Sequence, residues 1–114
     1  MAYDEHFAER LRQIFGEKNV ITKEVKMMGG LGFMVDDKLC AGIFRGKLMA
    51  RTDPDEKEQL SQMPGAEPME MGGREMKGYL HVGPEGFDND KDLEFWISKC
   101  LEFNPKAKSS KKKR

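Results

Sequence analysis

The side chains of this 114-residue chain that are equipped for chemistry are few and badly spaced for it. Two cysteines, Cys40 and Cys100, and two histidines, His6 and His81, never fall at a ligand spacing such as Cys-x-x-Cys or His-x-x-x-His, so no zinc site is expected. Cys40 sits in a strand-like run and Cys100 on an apolar helical stripe, and both read as core thiols. Ser61 ends a helical stretch and Ser98 lies inside one, and neither occupies a Gly-x-Ser-x-Gly elbow. A thiol nucleophile would need Cys40 and His81 to meet across a sheet, with nothing placed to orient the pair. Gly30-Leu31-Gly32 opens a dinucleotide-like pattern, but Val35 stands where the third glycine belongs, and no Gly-Lys-Ser/Thr follows. Asp88, Asp90 and Asp92 lack the central glycine and the later glutamate of a calcium loop, and suit a helix start instead. The expectation is a domain with no catalytic residues, no metal and no cofactor.

The elements around these residues explain their placement. Phe7, Leu11, Ile14 and Phe15 make one apolar face over Tyr3–Phe15, a helix that Gly16 can end in the left-handed conformation. Val20–Val35 changes to strand-like alternation, broken at Gly29-Gly30. Asp36-Asp37 and Arg45-Gly46 read as tight turns joining Leu39–Phe44 and Lys47–Arg51 into a meander. Asp53-Pro54 marks a short helix that stops before Pro64, with Glu56 placed to close a capping box. A strand near Met69 is ambiguous. Gly72-Gly73 bends the chain into a strand over Met76–Val82. Asp88-Asn89-Asp90 caps a last helix whose stripe is Leu93, Trp96, Ile97, Cys100 and Leu101, ended by Asn104-Pro105. The fold class that follows is α+β: an antiparallel sheet of about five strands flanked by helices, in the order α-β-β-β-β-α-β-α.

One domain over residues 1–105 fits this length, and residues 106–114 read as a disordered basic tail. Six of the 20 basic residues lie beyond Pro105 and none of the 20 acids does, so the body is acidic although the formal net charge is zero. An acidic body argues against a nucleic-acid surface on the domain itself. The tail can touch nucleic acid through phosphate neutralisation or serve only as a solubilising end. No signal peptide and no membrane-length apolar run is visible, which implies a cytoplasmic protein with reduced thiols and no membrane partner.

Nine methionines are unusual. Seven of them, Met27, Met28, Met34, Met49, Met69, Met71 and Met76, cluster around the strands. They suit core filling, with a plastic surface for a protein partner as the alternative. Lys26, Arg51, Arg74 and Lys77 lie on or beside strands and are the candidate binding residues, as one polar patch on the open sheet face. A solvated sheet face accounts for the same residues.

Two glycine-marked segments carry a family resemblance. One is Lys26-Met27-Met28-Gly29-Gly30; the other is Gly73-Arg74-Glu75-Met76-Lys77-Gly78-Tyr79. With the opening Met1-Ala2-Tyr3-Asp4 and the late Trp96-Ile97 helix, they resemble a stand-alone, short form of the N-terminal domain of the TfoX/Sxy family of bacterial competence regulators. Met28 replaces the usual Phe, and Glu75 the usual Pro. The resemblance spans about Met1 to Pro105 and implies an α+β fold. It also implies a regulatory or protein-interaction role without catalytic residues. The alternatives are nucleic-acid association through the lysine tail, or a small-molecule site between the sheet and the last helix. Exposed sheet edges make a homodimer an expectation as well.

Overall fold

The computed structural model describes residues 4–27 and 29–107. Helix α1 runs Glu5–Glu17, and its N-cap Asp4 accepts hydrogen bonds from the backbone N–H groups of His6 and Phe7. Four strands follow: β1 Lys23–Met27, β2 Gly30–Val35, β3 Lys38–Phe44 and β4 Lys47–Arg51. A 3-10 turn over Pro54–Glu56 leads into a single helical turn, α2, Lys57–Leu60. Strands β5, Ala66–Met71, and β6, Arg74–Val82, form the last hairpin, and helix α3 spans Asp90–Phe103. The strands form one antiparallel sheet in the order β1-β2-β3-β4-β6-β5. Its six strands include the ambiguous one near Met69, which is β5.

The hairpins obey their turn residues. Asp36 and Asp37 both have positive φ (55° and 65°), as do Arg45 and Gly46 (55° and 76°), which is the turn geometry that matches strand twist. Two capping expectations are corrected. Gly16 stays inside α1, and Asn19 takes the left-handed position at φ 59°. The N–H of Asn19 donates to the Gly16 carbonyl, and that of Val20 to the Phe15 carbonyl, so the helix closes in a Schellman motif two residues later. Glu56 does not close a capping box with Asp53; its carboxylate reaches across to Lys99 Nζ on α3 at 3.2 Å.

Both faces of the sheet carry apolar clusters of different origin. On one face Phe7, Leu11 and Phe15 of α1, Leu60 of α2, and Leu93, Trp96, Ile97 and Cys100 of α3 pack on Phe33, Ile43, Leu48, Leu80 and Val82. This is the main core, and Trp96 is 1% exposed in it. The opposite face holds a second cluster of strand residues: Leu39, Phe44, Met49 and Met69, edged by Met27, Met34, Met76 and Tyr79. Strand β6 bends at Gly78, which has φ 83°, and its pairing with β5 shifts register between Pro68 and Glu70. A side chain is strained in that backbone conformation, so glycine suits the bend. Thr52 N–H donates to the Gly78 carbonyl at 2.9 Å and fixes it.

Past α3 the chain runs through a 3-10 turn, Asn104–Lys106, to a buried Ala107. Asn104 Nδ2 donates to the Val35 carbonyl at 3.2 Å, and Lys38 Nζ to the carbonyls of Asn104 and Pro105. The remaining residues expected to be tail, 108–114, lie outside those described, as does Met28. Among the described residues no helix is long and apolar enough to cross a membrane.

Candidate functional site

The four basic residues picked out from the sequence do not share one patch. Lys26 pairs with Leu31, a main-core residue, and so points to the helix-bearing side of the sheet on strand β1. Arg51 pairs with Tyr79 of the second cluster, on the other face. Strands β1 and β6 stand four steps apart, about 19 Å at the usual strand spacing. The expectation of a single patch failed for Lys26 because alternation along a strand decides the face, and register is not written in composition.

On β6, Met76 belongs to the second cluster, so Lys77 beside it turns with Glu75 to the helix-bearing side. Arg74 instead shares the face of Met76 and Arg51, nearer the hairpin tip. Arg51 is half-buried. Its guanidinium carbon lies 5.4 Å from the Tyr79 ring centroid, and its Nη1 donates to the Leu39 carbonyl at 3.4 Å. Lys77 is two residues along β6 from Tyr79, and Arg74 three further towards the hairpin tip; both are exposed. Glu75 between them forms an ion pair with Lys57 of α2. Tyr79, the aromatic that ends the second glycine-marked segment, is the platform for Arg51, a role the sequence did not assign it.

Beside this region the second cluster presents Met34, Met76 and Tyr79 half-buried over Met49 and Met69, which are 2% and 0% exposed. Core filling therefore accounts for Met49 and Met69. Met27, Met34 and Met76 rim that cluster with part of each side chain towards solvent.

Two grooves flank Arg10. The larger, about 480 Å³, is lined by Asp4, His6, Phe7, Arg10, Phe87 and Asp90, among others. Arg10 Nη2 donates to the carbonyl of Phe87 at 2.9 Å, to that of Asp88 at 3.3 Å and to Asp90 Oδ1 at 2.9 Å. The Phe7 and Phe87 rings stack with centroids 4.3 Å apart. These bonds make Arg10 the joint between α1 and the start of α3.

The groups considered for catalysis are engaged elsewhere. His81 Nε2 lies 2.9 Å from the Phe44 carbonyl oxygen on the second-cluster face, whereas Cys40 belongs to the main core on the other side. Cys40 and Cys100 are both buried free thiols. Contact with Cys40, and then burial, push the Cys100 thiol well above its ordinary pKa, which keeps it protonated and poorly nucleophilic. Among the described residues no three His, Cys, Asp or Glu side chains converge as metal ligands.

A family model described as the TfoX N-terminal domain matches residues 18–104. The chain belongs to the TfoX N-terminal domain family. The match begins after α1 and covers the whole sheet and α3. Among curated proteins, none matches the chain. Within this TfoX N-terminal domain the glycine-marked segments have structural reasons. At Gly30 an added Cβ would run into the Ile43 carbonyl oxygen, so the β1–β2 turn lies against β3 only with glycine there. Gly72 and Gly73 supply the positive φ values (58° and 82°) of the β5–β6 turn. Met76 packs on the second cluster, which leaves Arg74, Glu75 and Lys77 as the solvent-facing side chains of the second segment.

Proposed function

We propose that this TfoX N-terminal domain is a non-enzymatic, cytoplasmic protein-binding module with a regulatory role of the competence-regulator kind. The observation that carries the reading is the sheet face on which, among the described residues, no helix packs. On it a methionine-edged apolar cluster lies beside the Arg51–Tyr79 pair, with Arg74 further along β6 on the same side as Met76. Methionine rims adapt to a partner's shape, and arginine stacked on an aromatic ring is a frequent anchor at protein interfaces. Lys26 and Lys77, on the other face, have no part in this surface.

The test is affinity capture from nuclease-treated native lysate, run in parallel with Arg51→Glu/Arg74→Glu. A stoichiometric protein that survives nuclease and is lost by the double charge reversal supports the reading. Capture indifferent to the reversal sinks this surface. Capture that vanishes with nuclease moves the reading to nucleic acid, with the lysines beyond Pro105 as the contact. Such binding would fall steeply with salt.

A further inference from the structure

We infer that two copies of this chain pair through strand β1, antiparallel across a two-fold axis at Val25, to join their sheets into one. This stands apart from the partner-binding face proposed above. Strand β1 ends the sheet, and Lys23, Glu24, Val25 and Lys26 are all exposed along it. Ile21, just before the strand, is 91% exposed, the most exposed large apolar residue among those described. An unpaired strand offers its outward N–H and C=O groups to another strand. The other end of the sheet is blunted: β5 carries Pro68, flanked by Glu67 and Glu70, and its pairing slips register there.

The charges on β1 select both the partner and the register. Side chains of paired residues must share a face, so only alignments that match odd with odd and even with even positions are allowed. Centring the axis on Glu24 sets that carboxylate against itself, and centring it on Lys26 sets two ammonium groups together. Centring it on Val25 places Glu24 of each copy opposite Lys26 of the other. Both pairs lie on the helix-bearing face, since Glu24 pairs with Phe33 and Lys26 with Leu31 within the chain. Opposite charges directly across a ladder stabilise it and like charges destabilise it.

The other face agrees with the same register. The two Val25 side chains meet at the axis, and Met27 of one copy faces Lys23 of the other, whose methylene stem can lie over the thioether. Arg12 already holds Glu24 by two hydrogen bonds, 2.7 and 3.0 Å, and so orders the carboxylate before the second copy arrives.

Sedimentation equilibrium on the full chain tests the inference, read against the 13.1 kDa chain mass. The wild type should reach twice that mass within the accessible concentration range, and Lys26→Glu alone and Glu24→Lys alone should remain monomeric. An equimolar mixture of those two variants should form a heterodimer, because each then meets the opposite charge. Register is read separately: Val25→Cys should cross-link to itself under diamide at least tenfold faster than Lys23→Cys, with native Cys40 and Cys100 buried from the reagent. A wild type that stays monomeric at about 0.5 mM overturns the proposal, that concentration being weak even for a transient contact. Undiminished dimerisation of Lys26→Glu, or equal cross-linking at positions 23 and 25, overturns it too.

Discussion

Arg12 on α1 grips Glu24 on β1 with both ends of its guanidinium: Nε lies 2.7 Å from Oε2, and Nη2 3.0 Å from Oε1. The same guanidinium reaches Glu9 at 2.9 Å and Glu5 at 3.4 Å through Nη1. A helix outside the family match is thereby tied to the outermost strand within it. The Arg12 hydrogen bonds hold the Glu24 carboxyl below its usual range, against a smaller opposing effect of burial. A depressed carboxylate contributes stability that is complete above its unfolded pKa, about 4.3, and is lost as pH falls through the folded value. Arg12→Met should therefore cost up to about 1 kcal/mol at pH 7, because the pair is partly solvated. The gap to wild type should close as pH drops below about 4. Thermal melts from neutral to acid pH check this; a gap that persists in acid would mean the loss is one of packing.

The thiols give a second prediction. Cys40 and Cys100 are each 1% exposed, and Cys100 is held protonated. Neither should react with an aromatic disulfide reagent at pH 8 in the folded protein, and both should react on denaturation. Prompt modification of one thiol in the native state would place it nearer the surface than α3 and β3 allow.

A third concerns Gly30 in the Met27–Gly30 bend. Because a Cβ there would collide with the Ile43 carbonyl, Gly30→Ala must push β2 from β3 or distort the turn. A loss of about 1–3 kcal/mol is expected, in the range of overpacked cores. Chemical denaturation measures it, and Gly16→Ala is the control, since nothing lies near an added Cβ at Gly16.

The methionine face separates folding from binding. Met69→Ala should cost about 2–5 kcal/mol, as a fully buried side chain does. Arg74→Ala, exposed on β6, should change stability by no more than about 0.5 kcal/mol. Loss of partner capture by Arg74→Ala at unchanged stability would assign that residue to contact; equal effects of both substitutions on stability would remove the distinction.

Much of the architecture was legible because local signals agreed. The α3 stripe of Leu93, Trp96, Ile97 and Cys100 has helical spacing, and Asp36-Asp37 with Arg45-Gly46 fixed the hairpins. The ambiguous strand at β5 begins Ala66-Glu67-Pro68, a sequence poor in strand formers, and is held by its pairing with β6 rather than by propensity. Lys26 was misplaced because the break at Gly29-Gly30 hides which side of the sheet the preceding strand presents. The end of α1 was misplaced because Asn19 competes with Gly16 for the left-handed position, and the Val20 contact that decides between them is tertiary. Arg12–Glu24 spans two elements, and nothing in either segment alone points to the other.

The strand order β1-β2-β3-β4-β6-β5 also bears on how the chain reaches its fold. Four of the five ladders join strands consecutive in sequence, so most of the sheet closes short loops, each at modest entropic cost. The Arg10 bonds to Phe87, Asp88 and Asp90 instead join positions 77 to 80 residues apart, the longest closure among the side-chain hydrogen bonds described. Contacts that close so long a loop are expected to form after the meander has zipped. Weakening them with Arg10→Ala should leave the refolding rate almost unchanged and speed unfolding, so that the joint between α1 and α3 acts as the latch that sets the lifetime of the native state.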